Sequence, residues 1–179
     1  IADRMTQAWS RRKKAELGLD SVVSVGTSVA GGLWWVTSQH VFNAFYAGYL
    51  DYDDKSVHDA LMRGEVDEAR LRQFAEYLKL LFDYADQNIL INGNYDAQVS
   101  AFALGKAAFI TQGNWIAPNM KQLGATFPMG YISHNFTEDE NPGLFMAAPS
   151  WFAVNSQAPE AEQKAAVEFL NYMALSEYG

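Results

Sequence analysis

The sequence contains no cysteine among its 179 residues. This absence excludes a disulfide framework, cysteine-ligated zinc, iron–sulfur clusters and thiol nucleophiles. Positive charge is also scarce, since 13 Lys and Arg stand against 21 Asp and Glu and give a formal net charge of -8. We therefore expect a chain that binds no nucleic acid along its phosphates and does not dock on an anionic membrane surface.

Long hydrophobic runs and familiar catalytic motifs are missing as well. No stretch approaches the roughly 20 apolar residues that span a bilayer. The chain has no Gly-x-Ser-x-Gly, no His-Glu-x-x-His and no glycine-rich phosphate or dinucleotide motif. These absences predict no catalytic residue, no metal and no cofactor. A carboxylate pair for glycoside hydrolysis is close in space rather than in sequence, so an enzyme using acids among Asp51, Asp53 and Glu138 remains an alternative.

The histidines and two acidic runs are the remaining candidates for metal binding. His40, His58 and His134 lie far apart, and none has a partner at ligand spacing. We interpret each of them as a helix-surface or loop residue. The acidic runs at 51–54 and 138–141 lack the central glycine and terminal glutamate of a calcium loop, so we interpret both as solvated loops.

Strands alternate with helices along the chain, which indicates the α/β class with partly parallel strand pairing. Hydrophobic spacing and turn signals predict helices over residues 2–17, 35–46, 56–63, 67–87, 96–104 (capped by Asp96), 115–122 and 159–174. They predict strands over 21–25, 107–111 and 127–132, and one or two strands within 144–154. The chain opens with Ile1 and shows no signal-peptide pattern, so we expect a fragment or a processed form.

Aromatic residues are abundant instead, with 5 Trp, 9 Tyr and 11 Phe. Trp9 lies on a helix face and is predicted to be core, whereas the other tryptophans stand where a loop enters a helix or a strand. An indole face beside exposed N–H groups and amides suits a pyranose ring, which stacks through its C–H face and hydrogen-bonds through its hydroxyls. The predicted ligand-binding residues are Gly32, Trp34, Trp35, Asn114, Trp115, Ala148 and Trp151.

The segment from Phe102 to Trp115 resembles the F-x-x-G-x-A-A-[aliphatic]-x-x-x-G-x-W signature of family 1 extracellular solute-binding proteins. These proteins serve ABC importers, and their sugar-binding branch is maltose-binding-protein-like. Segments at 22–48, 127–129 and 148–155 agree with the family in order, so the resemblance covers essentially the whole chain. The family usually shows paired glycines where this chain has Ala147, Ala148 and Pro149, so the approach of the backbone to the ligand differs there.

The resemblance implies a periplasmic-binding-protein-like fold of type II, at about half the usual family length. Residues 1–126 would form most of the C-terminal lobe. Residues 127–179 would form the interlobe crossover and the segment that returns to the N-terminal lobe. That second part would lack its sheet partners, so we expect it to associate with another chain or to be poorly ordered.

The function implied by the resemblance is the substrate-binding component of an ABC transporter, periplasmic or anchored to the cell surface as a lipoprotein. A sugar or oligosaccharide would lie in an interlobe cleft and pass to the permease subunits. Trp115 and either Trp34 or Trp35 would stack on sugar rings, while Asn114 and backbone groups near Gly32 and Ala148 would hold hydroxyls. A receptor of the same fold for a non-sugar solute, such as a polyamine or a metal–anion, remains an alternative because of the acids at 51–54.

Overall fold

The computed structural model describes residues 11–47, 54–133 and 151–176, and the chain divides into two units, residues 1–145 and 146–179. The described helices of the first unit are α1 (Arg11–Glu16), α2 (Phe42–Ala47), α3 (Ser56–Met62), α4 (Glu68–Asp83), α5 (Gln87–Asn92), α6 (Tyr95–Ala103) and α7 (Ala117–Gln122). Its strands are β1 (Ser21–Ser24) and β2 (Ala107–Ile110). A π-helical turn (Val36–Val41) leads into α2, and a 3-10 turn (Asn114–Ile116) leads into α7.

The two strands form a parallel pair in which Ser21 lies opposite Ala107 and Val23 lies opposite Phe109. All four residues of β1 are buried, as expected of a strand that is covered on both faces. On its other side β1 makes an isolated parallel bridge from Val23 to Ala85. Strand β1 is therefore the central strand of the described part of the first unit.

The buried apolar side chains of the described first unit form two clusters. The larger one joins β1 to the π-helical turn, α2, α4 and α5 through Val22, Val23, Val25, Leu33, Val36, Val41, Phe45, Tyr46, Phe74, Tyr77, Leu81 and Leu90. The smaller one joins α6 to α7 and the 3-10 turn through Val99, Ala103, Ile116 and Met120. Each buried aliphatic or phenylalanine side chain contributes roughly 1.5–3 kcal/mol, so of these two described clusters the larger one contributes more to stability.

The second unit holds helix α8 (Glu160–Leu175). Glu160 and Glu162 lie in its first turn, where negative charge is favoured by the helix dipole. Lys164 pairs with Glu160 one turn away at 2.7 Å. No residue of α8 is buried, so its stability rests on these local interactions more than on packing.

The helix predicted over 67–87 is present as α4 (Glu68–Asp83) but ends four residues before its predicted end, and α5 (Gln87–Asn92) was not predicted. The carbonyl of Tyr84 accepts hydrogen bonds from two backbone N–H groups of β1, at 3.0 and 3.3 Å. The Asp86 carboxylate then caps α5 by accepting from two N–H groups in its first turn, both at 2.9 Å. Pairing with β1 thus ends α4 before residue 87. The hydrophobic spacing of the sequence does not indicate this pairing.

The N-cap of α6 also differs from the predicted one. Asn94, not Asp96, caps the helix, because its side-chain oxygen accepts from the backbone N–H of Ala97 at 2.9 Å. Asp96 lies in the first turn instead. Both residues are favoured near a helix start, so sequence alone places the boundary only to within a turn.

The strand predicted over 127–132 is absent from the described structure, where this segment pairs with neither strand. Pro128 has no N–H to donate to a ladder. Phe127 instead packs its ring edge-on against Phe102, with centroids 5.6 Å apart. Of the strands predicted within 144–154, residues 144–150 lie outside the described residues, and 151–154 contain no strand.

Of the other described elements, β1, β2, α3, α7 and α8 lie where the sequence predicts them, and α1 lies within the helix predicted over 2–17. The helix predicted over 35–46 is divided into the π-helical turn and α2. The mixture of helices and strands, with the parallel pair, confirms the predicted α/β class. The type II lobe architecture and the lobe boundary between residues 126 and 127 stay predictions. Residues 1–10, with Trp9, lie outside the described residues. None of the described helices is long and apolar enough to cross a membrane.

Replacing Leu33 tests how the loop after β1 is anchored. Leu33 is fully buried in the larger cluster, so Leu33→Ala is expected to lower the free energy of unfolding by about 2–5 kcal/mol. Val29 lies in the same loop but is 78% exposed, so Val29→Ala is the matched control and should change stability by less than about 0.5 kcal/mol. Urea unfolding followed by circular dichroism measures both, and equal effects would contradict the described packing.

Candidate functional site

The candidate site lies at the carboxyl ends of β1 and β2. Two loops leave the strands there, the β1 loop (residues 25–35) and the β2 loop (residues 111–115). The strand ends are tied together because the backbone N–H of Thr111 donates to the carbonyl of Ser24 at 3.2 Å. In open α/β sheets, ligands bind outside the carboxyl ends of parallel strands. We therefore expect a binding site at this edge of the sheet.

The β1 loop is held in one conformation by its own polar groups. The Thr27 side chain and backbone N–H both donate to the carbonyl of Leu90, at 2.8 and 2.9 Å. The Ser28 side chain accepts from the backbone N–H of Gly31 at 2.9 Å. A Cβ at Gly31 would overlap the backbone of Gly93, so glycine is required for this close approach. The backbone that carries Trp34 and Trp35 is therefore bonded both to α5 and within its own loop.

The π-helical turn that follows this loop brings Trp35 and His40 together. In a π-helix, hydrogen bonds join residues five positions apart, and the N–H of Phe42 donates in this way to the carbonyl of Thr37. Trp35 and His40 are also five positions apart, so they lie one above the other on this wider turn. Their ring centroids are 4.9 Å apart.

Trp115 of the β2 loop completes a cluster of three rings, which we call the aromatic wall (Trp35, His40 and Trp115). The Trp115 ring lies edge-on to His40 at 5.2 Å and to Trp35 at 6.0 Å between centroids. Trp35 packs on the core, whereas Trp115 remains 40% exposed. The wall is thus anchored at one end and open to solvent at the other.

Gly113 allows the Trp115 ring to fold back over its own loop. A Cβ at Gly113 would overlap the six-membered ring of that indole. The ring therefore lies directly against the glycine backbone. Because any side chain at 113 would push the ring away, the Gly113-x-Trp115 spacing has a direct physical reason.

A line of side-chain amides lies behind Trp115. Its indole N–H donates to Oε1 of Gln112 at 3.0 Å, and Nε2 of Gln112 donates to Oε1 of Gln98 at 2.8 Å. Gln98 lies on α6 and is fully buried. Its Nε2 donates to the carbonyls of Ser24 and Thr111, at 3.1 and 3.2 Å. The amides thus connect the exposed ring to both strand ends.

The predicted site residues are distributed unevenly in the structure. Trp35 and Trp115 lie together in the aromatic wall, and the exposed residues Gly32 and Asn114 lie in the two loops beside it. Trp34 is 47% exposed, and no ring contact joins it to the described aromatic residues, so Trp35 is the member of that pair that meets Trp115.

Two predicted site residues belong to the second unit. Trp151 is 81% exposed, and Ala148 lies outside the described residues. Their place in a binding site stays a prediction.

Sequence reasoning missed three residues of this arrangement. His40 was interpreted as a surface or loop residue, but it is half-buried between two indoles. The five-residue spacing from Trp35 gave no signal, because neighbours on an α-helix are three or four apart. Gln98 and Gln112 were not singled out. Gln98 could have been recognised, because a glutamine on the buried face of a short apolar helix requires hydrogen-bond partners in the interior.

Burial lowers the pKa of the His40 imidazole below its ordinary value of 6.5, because desolvation disfavours the charged ring. The wall is therefore uncharged at neutral pH. Within the described ranges, no group of three or more acidic or histidine side chains is placed to hold a metal ion. The arrangement suits an uncharged ligand with an apolar face.

An apolar cavity of about 310 Å³ lies beside β2, lined mainly by residues of β2, α7 and 129–133. Its lining reaches Thr111 and Gln112 but includes none of the three rings of the aromatic wall. The cavity lacks the exposed indole, and of the amides behind Trp115 its lining includes only Gln112. We therefore place the candidate site at the wall.

Comparison with known families gives one match. The family model described as bacterial extracellular solute-binding protein matches residues 18–178, which is nearly the whole chain. Both loops and all three rings of the aromatic wall lie inside the matched range. No curated protein and no solved structure matches the chain.

Replacing Gly113 tests the folded-back position of Trp115. Gly113→Ala is expected to displace the indole, change the near-UV circular dichroism and lower stability by about 1–3 kcal/mol, because the added methyl group overlaps the ring. The control is Gly130→Ala, since a Cβ at Gly130 meets nothing within 4 Å. Unchanged near-UV spectra for Gly113→Ala would contradict the described ring position.

The titration of His40 tests its burial in the wall. We expect an NMR titration of its ring protons to give a midpoint below 6.5, the ordinary histidine value. Because the folded pKa is depressed, the associated stability is fully present above the unfolded pKa and is lost as the pH falls through the folded pKa. His40→Phe keeps a ring without this titration and should lose less stability on acidification. A midpoint above 6.5 would contradict the burial.

Proposed function

The chain belongs to the bacterial extracellular solute-binding protein family, and on this premise we propose that it binds a sugar or an oligosaccharide. The family is a non-enzymatic, extracytoplasmic binding component of transporters. It implies ABC transporter permeases as partners. The alternative of a glycoside-active enzyme is set aside by this membership. What the proposal adds is the class of solute and the place where it binds.

The aromatic wall is the observation that supports a sugar. Trp115 offers an indole that is 40% exposed, and the neighbouring rings of Trp35 and His40 are steeply inclined to it rather than stacked parallel on it. A pyranose presents a flat face of C–H groups, which packs well on such a ring. The wall carries no charge at neutral pH, so it offers no counter-charge to an anionic solute.

Polar groups beside the wall are suited to the sugar hydroxyls. Asn114 is exposed next to Trp115, and its amide both donates and accepts hydrogen bonds. The N–H of Gly32 already donates to Val29 at 3.1 Å, so its carbonyl is the group that would accept from a hydroxyl. His40 adds a neutral imidazole, which donates at one nitrogen and accepts at the other.

The remaining parts of the proposal come from the family resemblance. Trp151 and Ala148 would complete the site from the second unit. Residues 1–126 would correspond to most of the C-terminal lobe, and residues 127–179 to the crossover and the returning segment. A polyamine receptor would need acids around the rings, and Asp51 and Asp53 lie outside the described residues, so no described observation favours that class.

Titration of tryptophan fluorescence tests both the solute class and the site. Glucose, maltose, maltotriose, spermidine and phosphate are added separately to the wild-type protein and to Trp115→Ala. We expect a saturable change with at least one sugar, and an affinity weakened about tenfold or more in Trp115→Ala, which corresponds to about 1.4 kcal/mol. Removing the stacking surface has this effect because the apolar sugar face loses its partner.

Phe169→Ala serves as the control, because Phe169 is an exposed aromatic residue of α8 outside the wall. It should bind sugar as the wild type does. Saturable binding of spermidine or phosphate alone would contradict the sugar proposal. Sugar binding that Trp115→Ala leaves unchanged would contradict the site. Chromatography of the incubated sugar should show no new product.

A further inference from the structure

We propose that Gln98 and Gln112 are positioning residues of the aromatic wall. Through a relay of directed hydrogen bonds, they fix the orientation of Trp115 and hold the β1 and β2 loops in register. The recognition part of this inference rests on the proposed function. The positioning role of Gln98 and Gln112 does not depend on which ligand the protein binds.

The direction of every bond in the relay is determined by its buried end. The amide nitrogen of Gln98 faces the carbonyls of Ser24 and Thr111, which only accept hydrogen bonds. The amide therefore cannot be flipped, and its oxygen must point to Gln112. That oxygen requires a donor, so Gln112 presents its Nε2 to Gln98 and its Oε1 to Trp115. The one group that fits there is a donor, the indole N–H.

Gln98 is strongly constrained because it is 0% exposed. A buried amide without partners costs about 1–3 kcal/mol, and here each of its polar groups has one. Ser24 adds a return bond by donating from its hydroxyl to the backbone carbonyl of Gln98 at 2.7 Å. The two residues thus hold α6 against the end of β1, where the β1 loop begins.

The same amide fixes the two loops relative to each other. Ser24 is the last residue of β1, and Thr111 directly follows β2. By bonding to both carbonyls, Gln98 connects the starts of the two loops that carry Trp35 and Trp115. A shift of either strand end breaks one of these bonds. The spacing of the two indoles is therefore set from inside the unit.

The relay also determines how Trp115 meets a ligand. Its N–H group is already bonded to Gln112, so it is not free to donate to a solute. The indole contributes its ring face instead. Hydrogen bonds to the solute must come from neighbouring groups, so recognition at Trp115 depends on the shape and C–H surface of the solute.

The indole N–H resonances of ¹⁵N-labelled full chain test the positioning. Trp115→Phe identifies the Trp115 signal by its loss. In Gln112→Met, which keeps the side-chain length without hydrogen bonds, that signal should move upfield and its exchange with solvent should become about tenfold faster or more. In Gln112→Glu the acceptor for the indole is kept, so the signal should stay downfield while thermal stability falls, because two acceptor oxygens then face each other at Gln98.

Gln122→Met is the matched control, since Gln122 is an exposed glutamine on α7 and should leave the Trp115 signal unchanged. Sugar affinity should weaken about two- to tenfold in Gln112→Met, as expected for one neutral hydrogen bond, and remain near wild type in Gln122→Met. An unchanged Trp115 signal in Gln112→Met would overturn the positioning role. A moved signal with unchanged sugar affinity would overturn its part in recognition.

The indole N–H resonances and the sugar affinity test the positioning role and the proposed function separately. If the wild-type protein binds no sugar, the proposed function and the recognition part fail together, and the indole signals still decide the positioning part. Circular dichroism of each variant confirms that it is folded. Loss of folding in Gln112→Met and Gln112→Glu alike, with Gln122→Met folded, would overturn a role limited to positioning.

Discussion

The parallel pairing of β1 with β2 is the constraint on which the candidate site depends. It places two carboxyl ends side by side, so that loops far apart in sequence leave the sheet at one edge. The hydrogen bond from Thr111 to Ser24 closes the pair at that edge, and the bonds of Gln98 repeat the connection through a side chain. Trp35 and Trp115 meet because their loops start from these two fixed points.

The local backbone then decides which aromatic surfaces are offered. The π-helical turn is wider than an α-helical one, and it places His40 over Trp35, where an α-helix would turn it away. Gly113 has no side chain, which leaves room for the Trp115 ring. The π-helical turn and the glycine at position 113 together allow the three rings of the aromatic wall to meet. π-Helical turns occur often at functional sites, and this one brings together Trp35 and His40, two of the three rings of the wall.

Sequence reasoning predicted the elements whose signals are local. A β-branched run predicted β1, and periodic apolar positions predicted α8. The end of α4 at Asp83 was placed too late because it depends on hydrogen bonds from β1 to Tyr84, across more than sixty residues. The tryptophans at loop junctions were singled out because glycine and asparagine mark such turns. His40, Gln98 and Gln112 were missed because their partners are set by the π-helical turn and by the strand pairing.

The members of this family bind solutes outside the cytoplasm, and we propose that this chain holds its solute at the aromatic wall. A crystal structure of the chain soaked with a sugar that binds in solution tests this most directly. We expect a pyranose ring parallel to the indole of Trp115, in van der Waals contact through its C–H face, with its hydroxyls near Asn114 and His40. A sugar found instead in the apolar cavity beside β2, with Trp115 untouched, would contradict it.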